Sequence, residues 1–181
     1  MGKLKAVTYD DYAALDDGKR YELIHGELIE MAPAPNDPHQ RIEVNVVYYL
    51  TDHVKRSKAG QIRCAPYDVM LDQLNTVQPD ALYISPQREH LLSERGCEGA
   101  PDLVIETLSP STESRDRNEK ASLYFQHGVL EYWLIDPSAE CIEVMSREVD
   151  GFEIAGRYSG SEVIRSSVLA ELELRAEQVF E

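Results

Sequence analysis

The sequence predicts a mixed α/β (α+β) fold, a central β-sheet covered on its faces by two main helices. Three observations predict it. Apolar residues recur near 3.6-residue spacing between residues 39 and 57, the period changes to two between Ile62 and Ile84, and Leu103-Val104-Ile105 is the continuous apolar run of a strand buried on both faces. With 181 residues, 43% of them hydrophobic, the chain has enough apolar material for one core, so a single domain over residues 1–181 is expected.

The elements follow in order. Thr8, with Asp11 three residues later, matches a capping box in which Asp replaces the usual Glu, opening a short helix through Leu15 that ends at Asp16-Asp17-Gly18. YELIHGELIEM, residues 21–31, reads as two alternating runs around His25-Gly26, a β-hairpin. After the loop APAPNDP, Ile42, Val46, Tyr49, Leu50 and Val54 form one face of the first long helix, which Gly60 stops. Ile62 and Cys64, then Tyr67, Val69 and Leu71, then Ala81 to Ile84 entered through Pro79, read as strands. Residues 86–100 form a polar connection with a helical turn, and residues 103–105 the central strand. SPSTESRD leads into a second helix over residues 116–127, closed by Gly128. EYWLID, CIEVMSR, FEIAGRYS and EVIRS read as further strands, with turns at Asp136-Pro137-Ser138 and Asp150-Gly151.

Composition removes several function classes. Eighteen Lys and Arg against 33 Asp and Glu give a formal charge of −15, which argues against a polyanion binder held by a broad basic face. No apolar run approaches the ~18 residues that cross a bilayer, and the amino terminus lacks the apolar core of a secretory signal, so a cytoplasmic setting is expected. Gly2 does not read as a myristoylation site, because Ala6 stands where Ser or Thr is needed. Cys64, Cys97 and Cys141 are odd in number and widely spaced; they read as buried thiols rather than a disulfide framework or zinc site. GxSxG, GxxxxGK and GxGxxG signatures are absent from the sequence.

Two acids stand where a solvated surface is not expected. Asp80 opens the strand at Ala81 and Glu106 closes the strand at Ile105. If these strands run antiparallel, the two residues lie opposite one another, about 5 Å apart between backbones, and their carboxylates converge. Two such oxygen donors suit Mg²⁺. Asp102, four residues from Glu106 along one strand, lies roughly 13 Å away and is read as a strand-entry residue. Lys120, early in the second helix, can bring an ammonium to the pair. On spacing alone, the alternative is an Asp80 turn cap, a surface-paired Glu106 and a solvated Lys120.

VQPDALYIS, GAPDLVIETLSPST, DRNEKASLYFQHGVLEYWLIDP and RYELIHGELIEMAP with its downstream His39 resemble the Uma-type restriction-endonuclease family of the PD-(D/E)XK nuclease superfamily, over residues 8–180. The resemblance implies a restriction-endonuclease-like core and phosphodiester cleavage with Mg²⁺ or Mn²⁺. It makes Pro79-Asp80 the PD element and Glu106 the acid of the second element, the two binding metal. The sequence departs from the pattern at Leu108, which stands where that element carries lysine, and Lys120 is expected to substitute.

His39, at the start of the first long helix, and Glu27, just after Gly26, are candidates for the site rim, while Glu22 and Glu30 read as solvated strand positions. Tyr124, Tyr132 and Trp133 read as packing rather than base-stacking residues, and Ser109 and Ser111 as turn residues. Arg115, Arg117 and Lys120 with Lys55, Arg56 and Lys58 form the best basic patch on offer. The leading expectation is a metal-dependent nuclease acting on nucleic acid, DNA before RNA, as a homodimer. Two alternatives stay open: a nuclease scaffold serving as a dimeric binding or regulatory module, and a hydrolase of small phosphate esters.

Overall fold

The structure is a computed structural model that describes residues 6–31 and 37–181. The amino-terminal segment MGKLK and most of the loop expected after Met31 lie outside the described residues. Thr8 caps α1 (Tyr9–Ala13), its backbone N–H and hydroxyl both reaching Asp11 Oδ2, so the capping box is present and the helix ends slightly early. β1 (Tyr21–Ile24) and β2 (Glu27–Glu30) form the expected hairpin, turned by His25 and Gly26 with φ of 53° and 76°. α2 (Asp37–Ser57) is the long helix.

β3 (Gln61–Cys64), β4 (Val69–Asp72), β5 (Asn75–Val77) and β6 (Ala81–Ile84) follow. β5 has no counterpart in the sequence reading because Asn75-Thr76 carries no apolar alternation; neighbouring strands, not its own pattern, bury it. A 3₁₀ turn spans Pro86–Leu91, and β7 covers Leu103–Thr107. The second helix begins earlier than expected, as α3 (Glu113–Arg115), passes through a π-helical turn at Asp116–Lys120, and continues as α4 (Ala121–His127). Gly128 closes it at φ 94°. β8 (Glu131–Asp136), β9 (Cys141–Arg147), β10 (Phe152–Ser159) and α5 (Glu177–Phe180) complete the order. EVIRS is not a strand: Val163 makes an isolated bridge to Arg175.

These strands build two sheets. The larger runs β10-β9-β8-β7-β6-β3 and is mixed, parallel only between β7 and β8, which α3 to α4 connect. The smaller runs β2-β1-β5-β4, so the hairpin is the edge of a four-stranded sheet. Strand alternation divides the core. One face of the large sheet packs Ala81, Ile105 and Trp133 against Ile42, Val46, Leu50 and Val54 of α2. The other packs Leu82, Val104 and Tyr132 against Leu123 and Tyr124 of α4 and against Ile24 and Val77 of the small sheet. Tyr124, Tyr132 and Trp133 are fully buried, as packing residues should be. Of the cysteines only Cys97 is buried; Cys64 is exposed because it ends an edge strand.

Glu131 ties the carboxy-terminal segment to the sheet. It is fully buried and accepts from Trp133 Nε1 at 2.7 Å, Ser166 Oγ at 2.7 Å and the Ser167 N–H and Oγ at 2.6 Å. Replacing this acceptor strands the buried Trp133 N–H and frees the part-buried serine donors, so Glu131→Ala should lower unfolding stability by about 3 kcal/mol in a urea titration; a loss below about 1 kcal/mol would contradict the assignment.

Candidate functional site

β6 and β7 pair antiparallel with Ala81 opposite Ile105, which sets Asp80 and Glu106 against each other at one end of the large sheet. The Thr107 backbone N–H donates to Asp80 Oδ2 at 2.7 Å, fixing that carboxylate at the strand end. Both acids line a cavity of about 440 Å³ whose walls come from β1, α2, the strand ends and the segment from Ser109 to Lys120. Asp80, Glu106 and Lys120 therefore meet in one cavity, as does His39. Glu27 does not: it is exposed on β2 and is absent from the lining.

The cavity contains two charge clusters. The first is His39, Glu43 and Asp80, whose donor atoms all lie within 4.8 Å of one another. His39 Nε2 stands 3.3 Å from Asp80 Oδ2. Burial opposes protonation of His39, but Asp80 and then Glu43 outweigh it and raise its pKa. Glu43 is itself pushed above the usual carboxyl range, first by burial and then by Asp80. Two carboxyl groups and an imidazole packed this closely are a donor set for a divalent cation.

The second cluster surrounds Lys120. Its Nζ lies 2.6 Å from Glu106 Oε1, 3.0 Å from Glu22 Oε1 and 3.9 Å from Asp116 Oδ1. All four residues are buried, at about 5% exposure or less. Burial works against the ammonium, yet Glu106, Glu22 and Asp116 together hold it charged and its pKa well above normal. The three acids outnumber the cation. Burial accordingly raises the pKa of Glu106 and of Asp116, with Lys120 opposing in both cases. Tyr124 donates to Glu106 Oε1 at 2.7 Å, and the Gln78 N–H donates to Glu22 Oε1 at 3.1 Å.

The π-helical turn explains how the helix serves this cluster. A local i→i+5 turn redirects side chains, and here it buries Asp116 and Lys120 on the cavity side. Leu108, two residues past Glu106, goes into the core beside Leu123 and Val129. The amine expected at that position thus arrives from the helix.

Glu22 and Glu43 were not anticipated, and Glu22 is a correction. It is not a solvated strand position: alternation puts it on the face of buried Ile24, where Lys120 receives it. His39 extends the α2 stripe toward the amino end, and Glu43 lies one turn beyond it, next to Ile42. Glu30 is exposed and pairs with Lys19 at 2.8 Å. Asp102 is buried away from the cavity, accepting from the Ser85 N–H at 2.7 Å. The expected basic patch does not form. Lys120 is buried, Arg117 is bound by Glu143, and Lys55 lies sixteen residues from His39 along α2, about 24 Å.

A family model described as "Uma2: Putative restriction endonuclease" matches residues 8–177. The chain belongs to the Uma2 family. Among solved structures it resembles the crystal structure of a "putative nuclease belonging to DUF820" from Anabaena variabilis, with a TM-score of 0.78 and 22% identity, covering 96% of this chain and 97% of that one. That likeness bears on the fold alone. A search of curated proteins finds no match. No helix among the described residues is long and apolar enough to cross a membrane.

Removing the buried cation should expose its structural importance. Lys120→Met leaves Glu22, Glu106 and Asp116 without their counter-charge and should cost about 3–5 kcal/mol in urea denaturation at pH 7. The deficit should shrink as pH falls and the acids take up protons. A variant as stable as the parent at pH 7 would contradict the cluster.

Proposed function

We propose that this Uma2 chain is a divalent-metal-dependent nuclease that hydrolyses phosphodiester bonds of nucleic acid, DNA before RNA, with Mg²⁺ or Mn²⁺. One observation carries the reading: Asp80, Glu106 and Lys120, distant in sequence, line a single cavity in a chain of a restriction-endonuclease family. Homodimerisation and a cytoplasmic setting belong to the same reading; sedimentation of the purified chain tests the first.

The donor set fits a divalent cation. Asp80 and Glu106 would hold it, with His39 and Glu43 beside Asp80; carboxylate oxygens suit Mg²⁺, and an imidazole adds affinity for Mn²⁺. When bound, such an ion supplies Lewis acidity toward a phosphoryl oxygen and makes nearby water easier to deprotonate. The remaining work falls to the chain. The Thr107 N–H fixes Asp80, so its carboxylate needs no reorientation. Tyr124 and Lys120 fix Glu106 Oε1. The Lys120 ammonium, kept charged by its acidic neighbours, offsets negative charge that grows on the phosphoryl oxygens as a water oxygen bonds to phosphorus, the bond to one sugar oxygen breaks, and that oxygen leaves with the water's proton.

A second reading, a binding module on a nuclease scaffold, is favoured by one observation: Lys120 is already engaged by both Glu22 and Glu106. Activity separates the two. The purified chain should cleave DNA in Mg²⁺ or Mn²⁺ but not in EDTA, and Asp80→Ala or Glu106→Ala should each reduce the rate about 100-fold or more while circular dichroism stays native. Metal binding without cleavage favours the module, and cleavage indifferent to both substitutions contradicts the site. Mn²⁺ at about 100 times its Kd should stabilise the fold by about 2.7 kcal/mol; in a thermal-shift assay His39→Ala or Glu43→Gln should reduce that gain.

A further inference from the structure

We infer that the substrate of this cavity is a single strand, held at about two phosphates by Arg20 and Arg115, rather than a duplex gripped along its length. The inference rests on the nuclease reading above and names its substrate class. Three observations carry it.

The acids are recessed. The side chains of Glu106 and Lys120 are 7% and 5% exposed and that of Asp80 is 19% exposed, and all three line a cavity of about 440 Å³, a size that suits a small ligand. A strand with free backbone torsions can bring a phosphodiester down to these carboxylates. A stacked duplex brings its phosphates along a stiff backbone, one charge per about 1.7 Å of axis, and reaches such depth only by pressing a long flank against the protein.

That flank would meet an acidic surface. The chain carries a formal charge of −15. Elsewhere several of its cations are engaged by acids: Arg56 by Asp52, Arg95 by Glu98, Arg117 and Arg157 by Glu143. The cavity wall offers Arg20, Arg115 and the neutralised Lys120 against Glu22, Glu43, Asp80, Glu106 and Asp116.

Arg20 and Arg115 are placed to act. Arg20 precedes β1, two residues from Glu22, and is exposed, donating to Gln78 Oε1 at 2.7 Å. Arg115 ends α3, one residue before buried Asp116, and its nearest acid, Glu119, stands 3.8 Å away. They line the cavity from different elements, Arg20 just before β1 and Arg115 at the end of α3. No Phe, Tyr or Trp side chain lines the cavity among the described residues, so base stacking adds little and the phosphate contacts dominate.

Fluorescence anisotropy of the full chain with a labelled 12-nucleotide single strand, and with its duplex, tests this, using Ca²⁺ in place of Mg²⁺ because Ca²⁺ occupies carboxylate sites with looser geometry. The single strand should bind at least about tenfold tighter, and with two phosphates neutralised its affinity should fall about sevenfold between 50 and 200 mM salt, against about 1,000-fold for a duplex binder making six contacts. Arg20→Ala and Arg115→Ala should each weaken binding and roughly halve the salt slope. Equal or tighter duplex binding, a slope as steep as that of six contacts, no binding of either form, or insensitivity to both substitutions would overturn the inference. Hydrolysis of bis(p-nitrophenyl) phosphate, run in parallel with Mn²⁺, separates the two readings: turnover there alongside any of these results leaves the nuclease chemistry standing, and its absence with no strand cleavage removes both.

Discussion

A single buried ammonium links the main parts of this fold. Lys120 comes from the π-helical turn, Glu106 from the large sheet and Glu22 from the small sheet, and all three are nearly sealed from water. Burying a lone charge is very unfavourable, so the two sheets and the helix are obliged to meet where the charges can compensate. The cavity lies at that junction, and its acidity follows from the same arrangement. Three carboxyl groups face one amine, leaving an excess of negative charge that a proton or a divalent cation can relieve.

The neighbouring donor group extends this logic. Glu43 and His39 both hold protons more tightly than usual, in part because each faces Asp80. Groups held out of their ordinary titration range in a cleft mark places where charge is to be exchanged with a ligand. In the proposed reading the exchange is of protons for a cation, and the fold holds the competing charges apart: Lys120 keeps to Glu106 and Glu22, while His39 and Glu43 gather at Asp80. Tyr124, Thr107 and Gln78 hold the carboxylates in place by donating to Glu106, Asp80 and Glu22 respectively.

Much of this was legible in the sequence, for identifiable reasons. Pro79 marks where β6 begins and the apolar run before Glu106 marks where β7 ends, so one assumption about strand direction was enough to bring two acids together. The α2 stripe and the caps at Thr8 and Gly128 are local signals, read from neighbouring residues. What was missed is nonlocal. Glu22 sits in a strand whose alternation permits either face to be the wet one, and only the packing of the small sheet on α4 decides it. Glu43 stands between Ile42 and Val46 at the margin of the apolar stripe, where a carboxylate reads as solvated, and β5 is buried by its partners rather than by its composition. The basic patch failed for a geometric reason: Lys55 and Arg56 lie at the end of the 21-residue α2 remote from His39, while Lys120 is buried and Arg117 is paired with Glu143.

Anomalous diffraction from crystals grown with Mn²⁺ bears most directly on the central claim, that the two strand-end acids and the helix-borne amine share one cation-binding cavity. The account predicts an anomalous peak in that cavity, ligated by Asp80 together with Glu106, His39 or Glu43, with Lys120 still beside Glu106. A cavity without a peak at saturating Mn²⁺, or a peak seated elsewhere on the molecule, would contradict it.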